Sequence, residues 1–220
     1  MNVQGDAMRG KALLKSISQD YKMITDLRRP KVKEPIPPIP PDETRLVKIP
    51  ACYYVATSID GLIADRFGNV DWLGPFFDRD YGFHGFLDSI DTVVMGRRTY
   101  ERILKSAKTN PYEGKHFVVL SRTWTSGPYA DLFWQGPLQE LMLRLEAMGS
   151  KSLWIVGGGS VAGTFLEAGL LDEVQQFVMP LALGSGTPLF GPLRQQASLR
   201  LTDSQFFANG VLQLRYATES

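Results

Sequence analysis

The sequence predicts a layered α/β domain: helices covering a largely parallel sheet, with an antiparallel hairpin closing the carboxyl-terminal edge. Three observations predict it. From Cys52 onward, short apolar runs alternate with amphipathic helical stretches. Several of those runs end in glycine, or in a small polar residue followed by arginine, as strands do where they hand over to a helix or a turn. The last two runs have no helix between them, which pairs them antiparallel.

The first strand is expected over Cys52–Thr57, where aromatic and β-branched residues gather, and the next over Thr92–Met95, whose Val93 and Val94 belong to a fully buried run. Further strands are expected at His116–Leu120, Ser152–Val156, Glu173–Met179, Leu199–Phe206 and Val211–Tyr216. Helices are expected at Tyr81–Ser89, Arg98–Leu104, Pro137–Ala147 and Val161–Ala168. The last of these places Val161, Phe165, Leu166 and Leu170 on one face. No repeat of fixed period runs through the chain.

The domain is expected to span residues 51–220, after an N-terminal extension of residues 1–50. That extension holds seven of the 14 prolines and one aromatic, Tyr21, and its basic residues outnumber its acidic ones by four. Beyond it the balance reverses, to an acidic excess of three. So few aromatics bury little apolar surface. Leu13, Ile17, Tyr21 and Ile24 share one helical face, whereas the prolines from Pro35 to Pro41 forbid helix and predict an extended spacer. Packing of this arm on its own domain or on a second subunit fits better than a transit peptide, because Asp20 and Asp26 interrupt the basic bias.

Composition removes several function classes. The 220 residues carry 24 basic and 23 acidic side chains, so no overall field selects nucleic acid or anionic membrane. No apolar run is long enough to span a bilayer. One cysteine, Cys52, and two histidines, His84 and His116, leave neither an internal disulfide nor a conventional zinc site, and no metal is expected. These features predict a soluble, cytoplasmic protein.

Two segments carry the chemistry. The run Leu153–Val156 enters Gly157, Gly158 and Gly159, then Ser160 and Val161 at the start of a helix. Glycines admit a ligand close to the backbone, and a helix N-terminus offers free N–H groups to phosphate. A plain tight turn is the competing reading. The second segment, Thr92–Met95, ends in Gly96, Arg97, Arg98 and Thr99. Two arginines are unfavourable at a helix N-terminus unless an anion faces them, and guanidinium groups grip phosphate in bidentate fashion. A third strand ends in Ser121 and Arg122. Such strand ends suit a dinucleotide laid across the carboxyl edge of the sheet. The glycine string comes late in the chain, and no acid is clearly placed to take the ribose hydroxyls, so the pattern departs from the usual dinucleotide fold and favours NADP over NAD.

Met95-Gly96-Arg97-Arg98-Thr99-Tyr100-Glu101 and Ile155-Val156-Gly157-Gly158-Gly159-Ser160-Val161 resemble the two cofactor motifs of dihydrofolate reductases. Ser58-Ile59-Asp60-Gly61-Leu62-Ile63-Ala64 is similar to the first loop of the reductase domain of the bifunctional riboflavin-biosynthesis deaminase–reductase. The stretches Leu171–Val174 and Met179–Phe190 resemble the tail of that domain. The resemblance covers residues 51–217. It implies a three-layer dihydrofolate reductase-like fold with about eight strands, NADPH as cofactor, and a homodimer. It places the ribose phosphate near Arg97 or Arg98, the pyrophosphate against Gly96–Thr99 and Gly158–Val161, and the adenosine end near Ser121 and Arg122. Ala56 and Ile63 would flank the nicotinamide. No deaminase zinc signature precedes the domain, so in riboflavin synthesis another protein would supply deamination. The segment from Trp72 to Asp80 is longer than its counterpart in dihydrofolate reductases, which counts against folate.

Hydride transfer to a C=N or C=O bond also needs a proton. Asp80 lies where dihydrofolate reductases carry a substrate-binding carboxylate, and Asp60 sits beside the expected nicotinamide. A helix cap and a turn residue are the respective alternatives. Trp72, Phe76, Phe77 and Phe83 are candidates to wall a planar substrate, with core packing as the alternative. A hydrolase elbow at Ser160 fails because no histidine follows it, and no P-loop sequence exists. The expected activity is NADPH-dependent reduction of a small heterocyclic or ribosylamino molecule. The rivals are a folate-type or small-carbonyl reductase and a non-catalytic NADP-binding module.

Overall fold

The computed structural model describes residues 45–219. The helix and proline spacer expected before residue 45 lie outside the described residues. Strands β1 (Ala51–Ser58), β3 (Thr92–Gly96), β4 (His116–Leu120), β6 (Leu153–Gly157), β7 (Glu173–Met179), β9 (Leu199–Phe206) and β10 (Leu212–Thr218) fall within two residues of their expected ends. So do helices α1 (Phe83–Ser89), α2 (Arg97–Ser106), α3 (Leu138–Ala147) and α4 (Gly159–Glu167). The pattern did not reveal β2 (Leu62–Asp65), β5 (Leu132–Trp134), β8 (Gly186–Pro188) or the 3-10 turn at Asp71–Phe76.

Eight strands form one sheet in the order β5-β4-β3-β6-β1-β7-β10-β9, and β2 pairs with β8 separately. The neighbours from β5 to β7 are parallel, and β10 joins β7 and β9 antiparallel. This is the mostly parallel sheet with the antiparallel end that the sequence predicts.

Alternation along the strands explains the three layers. Tyr53, Val94, Val118, Ile155 and Val174 pack on one face with Leu141, Met142 and Leu145 of α3 and Ala162 and Phe165 of α4. Val93, Met95, Phe117, Val119 and Trp154 face the other way, against Tyr100 of α2 and Phe83, Phe86 and Leu87 of α1. Burying a side chain such as Phe117 or Leu145 contributes about 1.5–3 kcal/mol.

The packed unit starts earlier than the boundary expected at residue 51. Val47 and Ile49 are buried in the α3–α4 core, and the Pro50 carbonyl accepts the Leu153 N–H. Alternating Leu46, Val47, Lys48 and Ile49 carries that information locally, but the composition shift marks only the end of the prolines.

Candidate active site

All six parallel strands point their carboxyl ends to the same edge, and β3 and β6 lie side by side. Helices α2 and α4 therefore start next to each other. Their N-caps, Gly96 and Gly158, supply no side-chain cap, and in α4 the Val161 N–H already donates to the Gly158 carbonyl at 2.8 Å, so the first-turn N–H groups ahead of it are the ones that can meet a ligand. A bulge between Val94 and Met95 sets Met95 opposite Gly157 and turns the glycine string toward α2. Gly157 has φ 127°, a conformation closed to most side chains, and the Gly157–Gly158 peptide is cis.

The glycines show how closely the two motifs meet. A Cβ on Gly96 would lie 3.1 Å from Val161 Cγ2, and one on Gly158 would lie 3.9 Å from Thr99 Oγ1 and 4.0 Å from Ile63 Cδ1. Gly96, Thr99, Gly157, Gly158, Val161 and Ile63 thus converge on one cradle. The β2–β8 ribbon delivers Ile63, because its pairing holds the first loop against the segment that packs on α4. Gly159 and Ser160 serve that packing: a Cβ on Gly159 would collide with the Pro188 carbonyl, and Gly191 closes on Ser160.

The charged candidates divide. Arg97 forms an ion pair with Glu101 one turn along α2, so part of its charge is spent within the helix. Arg98 is exposed and has no ion pair among the described residues, and Arg122 is likewise exposed beyond β4. Ser121 is buried, and its hydroxyl oxygen accepts the N–H groups of Thr123 and Trp124, at 3.2 and 2.8 Å. It shapes the turn that carries Arg122 and keeps its own O–H as a donor.

Asp60 is fully engaged by the fold. Its carboxylate oxygens accept the Leu183 N–H at 3.0 Å and the Gly184 N–H at 2.7 Å. The Ser58 hydroxyl and these amides hold its pKa at about 2, against an ordinary 3.8. The turn role weighed for Asp60 thus has a concrete form. Asp80 accepts the Phe83 N–H at 2.6 Å and the His84 N–H at 3.2 Å, and His84 Nδ1 lies 3.1 Å from its other oxygen. Burial raises its pKa, but the hydrogen bonds from His84 and Phe83 outweigh that and leave it lowered. Asp80 therefore caps the start of α1 while staying exposed on the loop before it.

Ala56 faces an aromatic cluster built around Phe177, Met179 and Val211, which also contains Tyr54, Trp72, Phe76, Tyr81 and Phe207. Ala56 and Phe177 are neighbours across β1 and β7. Of the expected aromatic wall, Trp72 and Phe76 join this cluster and Phe83 packs beside it on Tyr54 and Trp154, whereas Phe77 points outward. Tyr54, Tyr81 and Phe177 were not singled out from sequence. Tyr54 and Phe177 read there as ordinary strand residues, and only the register across β1 and β7 joins them.

An eight-stranded sheet of this order, with two uncapped helix starts over paired glycine turns, defines the dihydrofolate reductase-like class of α/β proteins. Within it, the chain belongs to the family described as the RibD C-terminal domain, whose model matches residues 52–213. It is 35% identical over 167 residues to protein YwjB of Bacillus subtilis (strain 168), covering 74% of this chain and 94% of that one. The crystal structure of a putative riboflavin biosynthesis protein from Shewanella sp. PV-4 superposes with a TM-score of 0.71 at 32% identity, over 78% of this chain and all of that one. Dihydrofolate reductase from Enterococcus faecalis, complexed with NADP(H), shares the fold at a TM-score of 0.57 and 16% identity, over 78% and 97% of the two chains. The family is reductase-like, which supports oxidoreductase chemistry. No helix among the described residues is long and apolar enough to cross a membrane.

Proposed function

We propose that this chain is an NADPH-dependent reductase, acting as a homodimer in the cytoplasm, that delivers hydride to a small planar heterocyclic or ribosylamino substrate. The convergence of two uncapped helix N-termini on the Gly96 and Gly157–Gly158 turns carries the reading. NADPH, when bound, supplies the hydride. The cradle fits it: glycine backbone and free amides suit a pyrophosphate, and Thr99 adds a hydroxyl. Arg98, and secondarily Arg97, would hold the ribose phosphate, with Ser121 and Arg122 toward the adenosine end. Ala56 and Ile63 would position the nicotinamide, and the aromatic cluster beside Ala56 would exclude water and stack the substrate. Asp80, and after it Asp60, would orient substrate or relay a proton.

Calorimetric titration with NADPH and with NADH, followed by NADPH oxidation assays with aminopyrimidine, pterin and small-carbonyl substrates, tests the proposal. Tighter binding of NADPH and turnover with a heterocycle are expected. Binding without turnover of any of them would support a non-catalytic NADP-binding module instead. No heat with either cofactor would remove the reading.

A further inference from the structure

Tyr53 of β1 is fully buried with Val94, Ile155 and Phe165 in the core beneath α3 and α4, its ring tilted against Phe190 at 5.8 Å. A buried phenol needs a partner for its O–H, and this one donates to the Leu189 carbonyl at 3.0 Å. Burial pushes its pKa up, so the hydroxyl keeps its proton and remains a donor.

The segment that accepts this bond touches both walls of the cradle. On one side, the Leu189 N–H donates to the Gly61 carbonyl at 2.9 Å, and Gly186–Pro188 pair with β2. That strand carries Ile63, whose Cδ1 would lie 4.0 Å from a Cβ on Gly158. On the other side the segment presses on the start of α4. A Cβ on Gly159 would lie 2.8 Å from the Leu189 oxygen, and one on Gly191 would lie 2.8 Å from Ser160 Cα. The oxygen that accepts the Tyr53 hydroxyl is therefore also the one against which Gly159 rests. One hydrogen bond from the sheet holds the block that separates the first loop from the first turn of α4. We propose that Tyr53 is a positioning residue for the cofactor cradle, acting through Leu189 to set the spacing between Ile63 and the Gly158–Gly159 turn. The placement rests on the reductase reading, and it makes the grip on the nicotinamide half of the dinucleotide depend on a side chain outside the cradle. The expected adenosine end is carried by α2 and the end of β4, at Arg98, Ser121 and Arg122, and shares none of these contacts.

Tyr53→Phe keeps the ring and removes the hydroxyl. Calorimetric titration of the full-length variant with NADP+ and with 2′,5′-ADP, which lacks the nicotinamide half, tests the proposal. NADP+ affinity should fall by roughly tenfold and 2′,5′-ADP affinity by less than about twofold. Unchanged NADP+ affinity in a folded Tyr53→Phe chain, or equal losses for the two probes, overturns the inference and leaves Tyr53 as a core residue only. Hydrogen exchange on the unmodified chain decides independently of the variant. Saturation with NADP+ should slow exchange of the Leu189 N–H, whereas 2′,5′-ADP should not. A Leu189 N–H indifferent to NADP+ overturns the inference, whether or not Tyr53→Phe folds. NADP+ affinity of the unmodified chain, measured first, separates the failures: binding without these effects removes this inference alone, and no binding removes the reductase reading and this with it.

Discussion

Asp60 sits one residue before the turn at Gly61, and its two carboxylate oxygens hold the backbone of Leu183 and Gly184, more than a hundred residues away. Its lowered pKa ties that contact to pH. The stabilisation is fully present above the unfolded value near 3.8 and is lost as pH falls through about 2. Thermal melts of the native chain should therefore decline more steeply between these two values than melts of Asp60→Asn, and parallel declines would show that the contact does not stabilise the ionised form. Asp80 calls for a different measurement, because capping α1 and serving the substrate are compatible tasks. Asp80→Asn should lower turnover more than NADPH affinity, and unchanged turnover would reduce Asp80 to a cap. The two arginines can be ranked from their partners. Arg97 already has Glu101, so Arg98→Ala should lower the preference for NADPH over NADH by about tenfold and Arg97→Ala by less. Equal ratios in both variants and the native chain would move the ribose phosphate elsewhere, with Arg122 the next candidate.

Helix α4 shows how an element places a site through what it cannot accommodate. The Cβ of an alanine at position 159 would meet the backbone of Pro188 and Leu189, which the β2–β8 pairing holds in place. Gly159→Ala should destabilise the chain by roughly 1–3 kcal/mol and weaken cofactor binding as the cradle shifts. Gly85, exposed within α1 with nothing near its missing Cβ, is the control. Gly85→Ala should raise stability by about 0.5–1 kcal/mol through helix propensity alone. Urea unfolding of both measures the contrast, and a neutral Gly159→Ala would mean that the 186–190 segment yields easily. The same element explains what the sequence discloses. Strand, triple glycine and apolar helical face are consecutive, so the cradle at Gly157–Val161 is legible by eye. The β2–β8 ribbon is not, because Leu62–Asp65 and Gly186–Pro188 are too short to show a period and their pairing spans more than a hundred residues.

At the scale of the whole molecule, the two sheet edges differ. The β5 edge is three half-buried residues long, whereas β9 runs for eight residues, mostly exposed, with Leu201 and Phe206 open to solvent. A long exposed edge with apolar side chains is a pairing template that proteins normally shield with charge, a bulge or a partner. The bulge opposite Arg215 and Tyr216 and the nearby Asp203 shield its middle, leaving Phe206 open at the end that leads into the turn to β10. A second copy related by two-fold symmetry would cover the β9 edge of both chains at once. Sedimentation equilibrium should therefore find a dimer, and Phe206→Lys should shift it toward monomer. A dimer untouched by Phe206→Lys would place the contact on another face, and a monomeric native chain would mean that the site is complete within one subunit.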